Sequence, residues 1–256
     1  NNTLTMNFAD SGAVMSLSAG NDSVLSVSFN ENVMEYNQAS GVGGVVSVNV
    51  GTNTTHTLIF DTNRIYHNRA ASNGGVMALS MYSLSNRTIT MINNDVWNNT
   101  AIDYGGVMES FIGVEAIQYV TLTYNTFRGN TAEIGGAVIY LIAPNGTFEV
   151  NMTGNTIRDS WSRTQSAMVA QSITTADFVA NVWSNNTSPS LSANVWIKLQ
   201  DGTQMNIRNE TSQNNHGPAA WYVTGTGTGQ VTVENATFSD VNTTYMLQMD
   251  SLSVVE

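Results

Sequence analysis

The stretch from Asn93 to Val107 reads NNDVWNNTAIDYGGV. It sets four asparagines around one tryptophan and ends in a glycine pair followed by an apolar residue. Its opening pattern is an asparagine, any residue, an apolar residue, two more residues and a second polar residue. The pattern recurs as NVMEYN from Asn32, NRIYHN from Asn63, NTFRGN from Asn125, NTIRDS from Asn155 and NVWSNN from Asn181. The leading asparagines Asn32, Asn63, Asn94, Asn125, Asn155 and Asn181 are 31, 31, 31, 30 and 26 residues apart. The glycine pairs Gly43-Gly44, Gly74-Gly75, Gly105-Gly106 and Gly135-Gly136 keep nearly the same step. Fainter copies, RNETSQNN from Arg208 and ENATFSDV from Glu234, follow, and one step back from Asn32 reaches Asn1. Later copies replace the glycines by Ser166-Ala167, Ser192-Ala193 and Ala219-Ala220. About nine copies without a linker between them mark a stacked-repeat architecture over 1–256, read as a single domain.

Each copy carries alternating runs before its asparagine (HTLIF, TITMI, VTLTY) and after its glycine pair (VVSVNV, VMALSM, VMESFI). Alternation rich in Val, Ile, Thr and aromatics signals strand, and no segment shows a helical period. A unit of about 30 residues cannot bury a core alone, but stacked coils can. The expected fold is all-β, a right-handed parallel β-helix of about eight or nine coils with about 26–31 residues each. Equivalent side chains then pile up about 4.8 Å apart. Apolar columns are expected at Met15, Val46, Met77, Met108, Val138 and Met168, and beside them at Leu17, Val48 and Leu79. The motif's apolar residues Met34, Ile65, Val96, Phe127, Ile157 and Trp183 form another, to which Trp97 is also assigned. The repeat asparagines Asn32, Asn63, Asn94, Asn125, Asn155 and Asn181 are expected to form a ladder, each amide serving its neighbours above and below. The glycine pair permits backbone angles or close approaches that a Cβ forbids.

Composition narrows function. Charged residues are 11% of the chain, against roughly 25% in an average domain. There is one lysine, Lys198, and there are 32 asparagines. A net charge of −11 argues against nucleic-acid backbones and anionic lipid. With no cysteine there is no disulfide framework or thiolate chemistry. No apolar run reaches membrane-spanning length. The chain begins without Met, so a mature product or a segment of a longer or assembled protein is expected.

The pairing of an asparagine–apolar motif with Gly-Gly-apolar, as in VWNNTAIDYGGV, TFRGNTAEIGGAV and RIYHNRAASNGGV, resembles the repeat of the polymorphic outer-membrane proteins. It is also similar to right-handed parallel β-helix passenger domains. The resemblance covers Asn1 to Ile142 and weakens from Ser160 onward. It implies surface display, adhesion or surface architecture; the membrane barrel of those relatives has no counterpart in this sequence.

Twelve Asn-X-Ser/Thr sequons occur, at Asn1, Asn21, Asn53, Asn86, Asn98, Asn145, Asn151, Asn185, Asn186, Asn209, Asn235 and Asn242. Such acceptors suit exposed loops of a secreted protein. Asn21, Asn53, Asn86 and Asn145 are expected in one equivalent loop, projecting glycans coil after coil. The best carboxylate pair for a carbohydrate-active enzyme is Asp103 with Glu133, each two residues before its Gly-Gly and expected one coil apart. No further carboxylate aligns with them, so a solvated surface is the favoured reading. His56, His67 and His216 lack metal-ligand spacing and read as turn or surface residues. The methionine column has the period of the core. Gly225 to Gln230, GTGTGQ, lacks the lysine of a phosphate loop and reads as a turn. Tyr36, Tyr66 and Tyr104 are candidates for an exposed sugar-binding stripe. No cofactor or metal site is expected. The expected function is a non-catalytic extracellular or cell-surface module, structural or adhesive and N-glycosylated. Neither end of the chain reads as a polar cap, so the expected partners are neighbouring copies or domains end to end, as in a fibre.

Overall fold

A computed structural model describes residues 2–225, 228–239, 243–250 and 253–254. These form a parallel β-solenoid of about eight turns with no helix among the described residues. Every strand pairing is parallel, coil to coil. Four strands make one coil, shown by the second copy. Val33–Glu35 lies on face 1, Gln38–Ala39 on face 2, Val46–Val50 on face 3 and Thr55–Asp61 on face 4. Face 1 stacks nine strands, from Thr3–Thr5 to Thr237–Ser239.

The four asparagines of the opening stretch do two different jobs. Asn93 and Asn98 are exposed and hold the left-handed conformation, with φ of 54° and 53°. That conformation bends the chain sharply on either side of face 1, and asparagine tolerates it better than most residues. Asn94 and Asn99 follow each bend and point inward, buried. Asn94 Nδ2 and backbone N–H both donate to Asn125 Oδ1 at 2.9 Å. Its other amide hydrogen reaches back to the Phe60 carbonyl at 2.8 Å. Its Oδ1 accepts the same pair of bonds from Asn63. The amide's donors and acceptor are thereby satisfied without water, which a buried polar group requires.

This ladder runs Asn2, Asn32, Asn63, Asn94, Asn125, Asn155, Asn181. It ends on Glu210, whose Oε1 accepts both Asn181 bonds at 2.8 Å and whose Oε2 accepts Trp183 Nε1–H at 2.7 Å. Ladder amides donate toward the C-terminus, and a carboxylate only accepts, so it suits the last rung. A second ladder bounds the other side of face 1: Asn7, Asn37, Asn68, Asn99, Asn130. Ser160 interrupts it, and it resumes through Asn186 to Asn215.

The columns between the ladders are apolar. Met34, Ile65, Val96, Phe127, Ile157 and Trp183 fill face 1 from within, each essentially inaccessible. A fully buried side chain of this kind contributes about 1.5–3 kcal/mol. Trp97 departs from expectation. It follows Val96 on the strand, so alternation turns it outward, where it stacks on Tyr66 at 4.1 Å with Arg128 over its other face at 4.7 Å.

The glycine pair also divides its labour. Gly12, Gly43, Gly74, Gly105 and Gly136 all have positive φ at an unbroken 31-residue step. The second residue of each of the first three pairs lies against the next coil. A Cβ on Gly75 would stand 2.1 Å from the Gly106 carbonyl oxygen. The Gly135-Gly136 pair is therefore displaced by one residue, Gly136 matching Gly105, and the column reads Met108–Ile139–Met168, with Ile139 where Val138 was expected. The shortened step arises later, at the corner between faces 3 and 4, where the offset falls from 31 to 30. In the next coil the offset is already 29 on face 3, and that corner is lost: Met168–Val179 runs through as one bent strand, which brings the offset to 26.

Candidate functional site

Asp103 and Glu133 do not form a pair. Ala101 stands beside Ala132 and Tyr104 beside Gly135, so Asp103 is opposite Ile134. Asp103 accepts a hydrogen bond from Ser72 one coil back, at 2.9 Å, whereas Glu133 reaches one coil forward to Arg163 at 3.0 Å. Each carboxylate is occupied in the opposite direction.

The aromatic stripe is reorganised too. Tyr36, Tyr66, His67 and Trp97 cluster on and beside face 1. They form two stacked pairs, Tyr36 on His67 at 5.0 Å and Tyr66 on Trp97 at 4.1 Å, and the pairs meet edge to face. Ring faces used in this stacking are not open to a sugar. Tyr104 belongs elsewhere, stacked on Tyr140 at 4.2 Å.

Of the histidines, His67 and His216 lie at the surface turns expected of them, but His56 is buried, facing inward from face 4. It shares a column with Arg87 and Gln118, both inaccessible. Burial, then the neighbouring Arg87, pushes the His56 imidazole down to about 4. Burial brings Arg87 down to about 9, so it stays cationic at neutral pH, donating to the Ser80 carbonyl at 2.8 Å. Among the described residues no group of three or more His, Asp or Glu is placed to hold a metal ion.

Sequence reasoning passed over an open groove of about 520 Å³ along the outside of face 3. Its floor comes from outward positions of successive strands: Ser16 and Ser18, Ser47 and Asn49, Ala78 and Ser80, then Glu109 and Phe111. These residues are small on the first three coils and large on the fourth, so the floor is low and then steps up. One wall is the residue before each left-handed glycine: Ser11, Val42 and Asn73. The next coil carries Tyr104 at that place, braced by Tyr140. Glu109 sits at the step. Burial raises its carboxyl to about 7 against the opposing pull of Arg87 behind the sheet. Asn73 Oδ1 on the wall is buried without a hydrogen-bond partner, and Phe111 is 43% exposed. The visible signal was the outward half of each face-3 alternation, which a reading for core columns discards. A smaller hollow of about 370 Å³ lies at a corner beside Lys198 and Asp201. There Thr228 donates to Asp201; Thr226 and Gly227 of GTGTGQ lie outside the described residues.

The sequon asparagines have varied seats. Asn21, Asn53, Asn86, Asn98, Asn145, Asn151, Asn185, Asn209 and Asn235 are all exposed. Asn186 is buried in the second ladder; Asn1 and Asn242 lie outside the described residues. Asn21, Asn53, Asn86 and Asn145 share one corner but not one position. Asn86 opens a face-4 strand, Asn53 and Asn145 stand two residues before one, and Asn21 three before. No family model, no curated protein and no solved structure matches the chain.

Proposed function

We propose that this protein is a non-catalytic extracellular or cell-surface module, structural or adhesive, that carries N-linked glycans on its exposed sequons. The surface role implied by the resemblance to the polymorphic outer-membrane protein repeat belongs to this proposal. The observation that carries it is the groove on face 3, whose lining holds one carboxyl group, Glu109. Hydrolysis of a glycosidic bond ordinarily needs two carboxyls flanking it, about 5–10 Å apart. The nearest alternative, Asp103 with Glu133, is divided between different partners. One acid among hydroxyls and amides suits holding a ligand better than cleaving it. Joining end to end with neighbouring copies or domains is part of the same reading.

A carbohydrate-active enzyme is the second reading, favoured by the Glu109 carboxyl, whose value of about 7 is that of a general acid working near neutrality. Incubation with acidic and neutral polysaccharides, with and without Ca²⁺, separates the two. The first reading expects no chain shortening. Turnover that Glu109→Gln or Asp103→Asn abolishes would establish the enzyme instead.

A further inference from the structure

We propose that the groove on face 3 is a binding site for a short, uncharged, unbranched saccharide chain. This deepens the adhesive reading above and rests on it. The groove spans four coils, about 14 Å at strand spacing, and lies along the solenoid axis, so it accepts a linear ligand from its open end and stops it at Glu109 and Phe111. The chemistry of the lining selects the class. Serine hydroxyls and asparagine amides both donate and accept, as a polyol requires. Asn73 lines the wall and sets an amide beside the serines of the floor. Phe111 offers an exposed ring to the apolar face of a sugar.

Charge excludes the polyanionic sugars. None of the eight lysines and arginines lines the groove, and the chain carries −11. A uronate or sulfated chain would meet the Glu109 carboxyl and no cation in the lining. An extended peptide is disfavoured for a different reason. The face-3 strands of the second to fourth coils are paired on both sides, so an added strand could pair only with the edge of Met15–Ala19, across the end of the floor and not along it.

Calorimetric titration of the whole chain with neutral β- and α-linked oligosaccharides, a uronate oligomer and an extended uncharged peptide tests the assignment. At least one neutral oligosaccharide should bind, and Phe111→Ala and Asn73→Ala should each weaken it about tenfold. Both residues lie outside the core, and unchanged circular dichroism would show that the variants fold. Tyr36→Ala, on face 1, should leave binding unaltered. Silence toward every neutral oligosaccharide, or tighter binding of the uronate or the peptide, overturns the proposal. Binding lost in Tyr36→Ala but kept in Phe111→Ala refutes this site while leaving the adhesive reading intact. Binding at this groove followed by cleavage refutes the non-catalytic reading while leaving the site.

Discussion

At the scale of single residues, asparagine does opposite things at adjacent positions. Asn93 bends the chain in water; Asn94 closes a hydrogen-bond ladder in the interior. Asn94→Ala leaves Asn63 N–H and Nδ2 without their acceptor, and each orphaned buried donor costs about 1–3 kcal/mol. Chemical denaturation should therefore show a loss of about 3 kcal/mol, against about 1 kcal/mol for Asn93→Ala, which gives up only tolerance of positive φ. Equal losses would contradict the division of labour. The recurrence of asparagine was plain in the sequence, but its second role was not, because the left-handed sites also accept Thr62, Tyr124 and Ala180 and so show no consensus. Glu210 as a rung was hidden by chemistry of another kind, an acid in an amide's place. His56 was misplaced because alternation gives its inward position a polar residue, followed by Arg87 and Gln118. With its value near 4, below the ordinary 6.5, the folded chain stays unprotonated at His56 where the unfolded chain takes up a proton. His56 therefore withdraws stability as pH falls from 6.5 through 4. Denaturation at several pH values should show that His56→Leu loses less stability than the parent chain over that window; parallel curves would refute the assignment.

At the scale of the coil, corners carry the specificity. Strand stacks were legible because core alternation repeats at a fixed step. Loop register was not, because Gly135-Gly136 looks like its predecessors while only Gly136 has positive φ. The face-2 strands escaped notice for a plainer reason: two residues, such as Thr100–Ala101, carry no periodicity to read. Conformation and crowding make distinct demands at the corner. At Gly74, φ is +67° and an added Cβ would lie 2.2 Å from the Met77 carbonyl oxygen. At Gly75 the angle is ordinary but the contact is 2.1 Å. Gly20 has neither constraint, with nothing within 4 Å. Gly74→Ala and Gly75→Ala should each destabilise by more than about 1 kcal/mol, while Gly20→Ala should be neutral or stabilise by about 0.4–1 kcal/mol. Thermal melts of the three variants check this, and a harmless Gly75→Ala would remove the close-approach role.

At the scale of the molecule, the solenoid sorts its surface. Five of its eight cationic side chains, Arg64, Arg69, Arg128, Arg158 and Arg163, lie on faces 1 and 2 or just after them. Face 3 carries the groove. The exposed sequons are spread over the corners and face 4. Their seats have a simple origin. Two residues after a ladder asparagine the chain faces the core, so a ladder position rarely permits Ser or Thr there; the left-handed site before it does, as in Asn98-Asn99-Thr100. Asn186 is the exception, because Ser188 takes the core position. On the proposed reading, glycans supply the solubility of so weakly charged a surface. Glycopeptide mass spectrometry on the chain secreted from a eukaryotic host tests the extracellular, glycosylated reading and the burial pattern together. The expected result is glycan on most of the nine exposed sequons and none on Asn186. A chain that is secreted and folded yet bare at all nine, or glycosylated at Asn186, would contradict it.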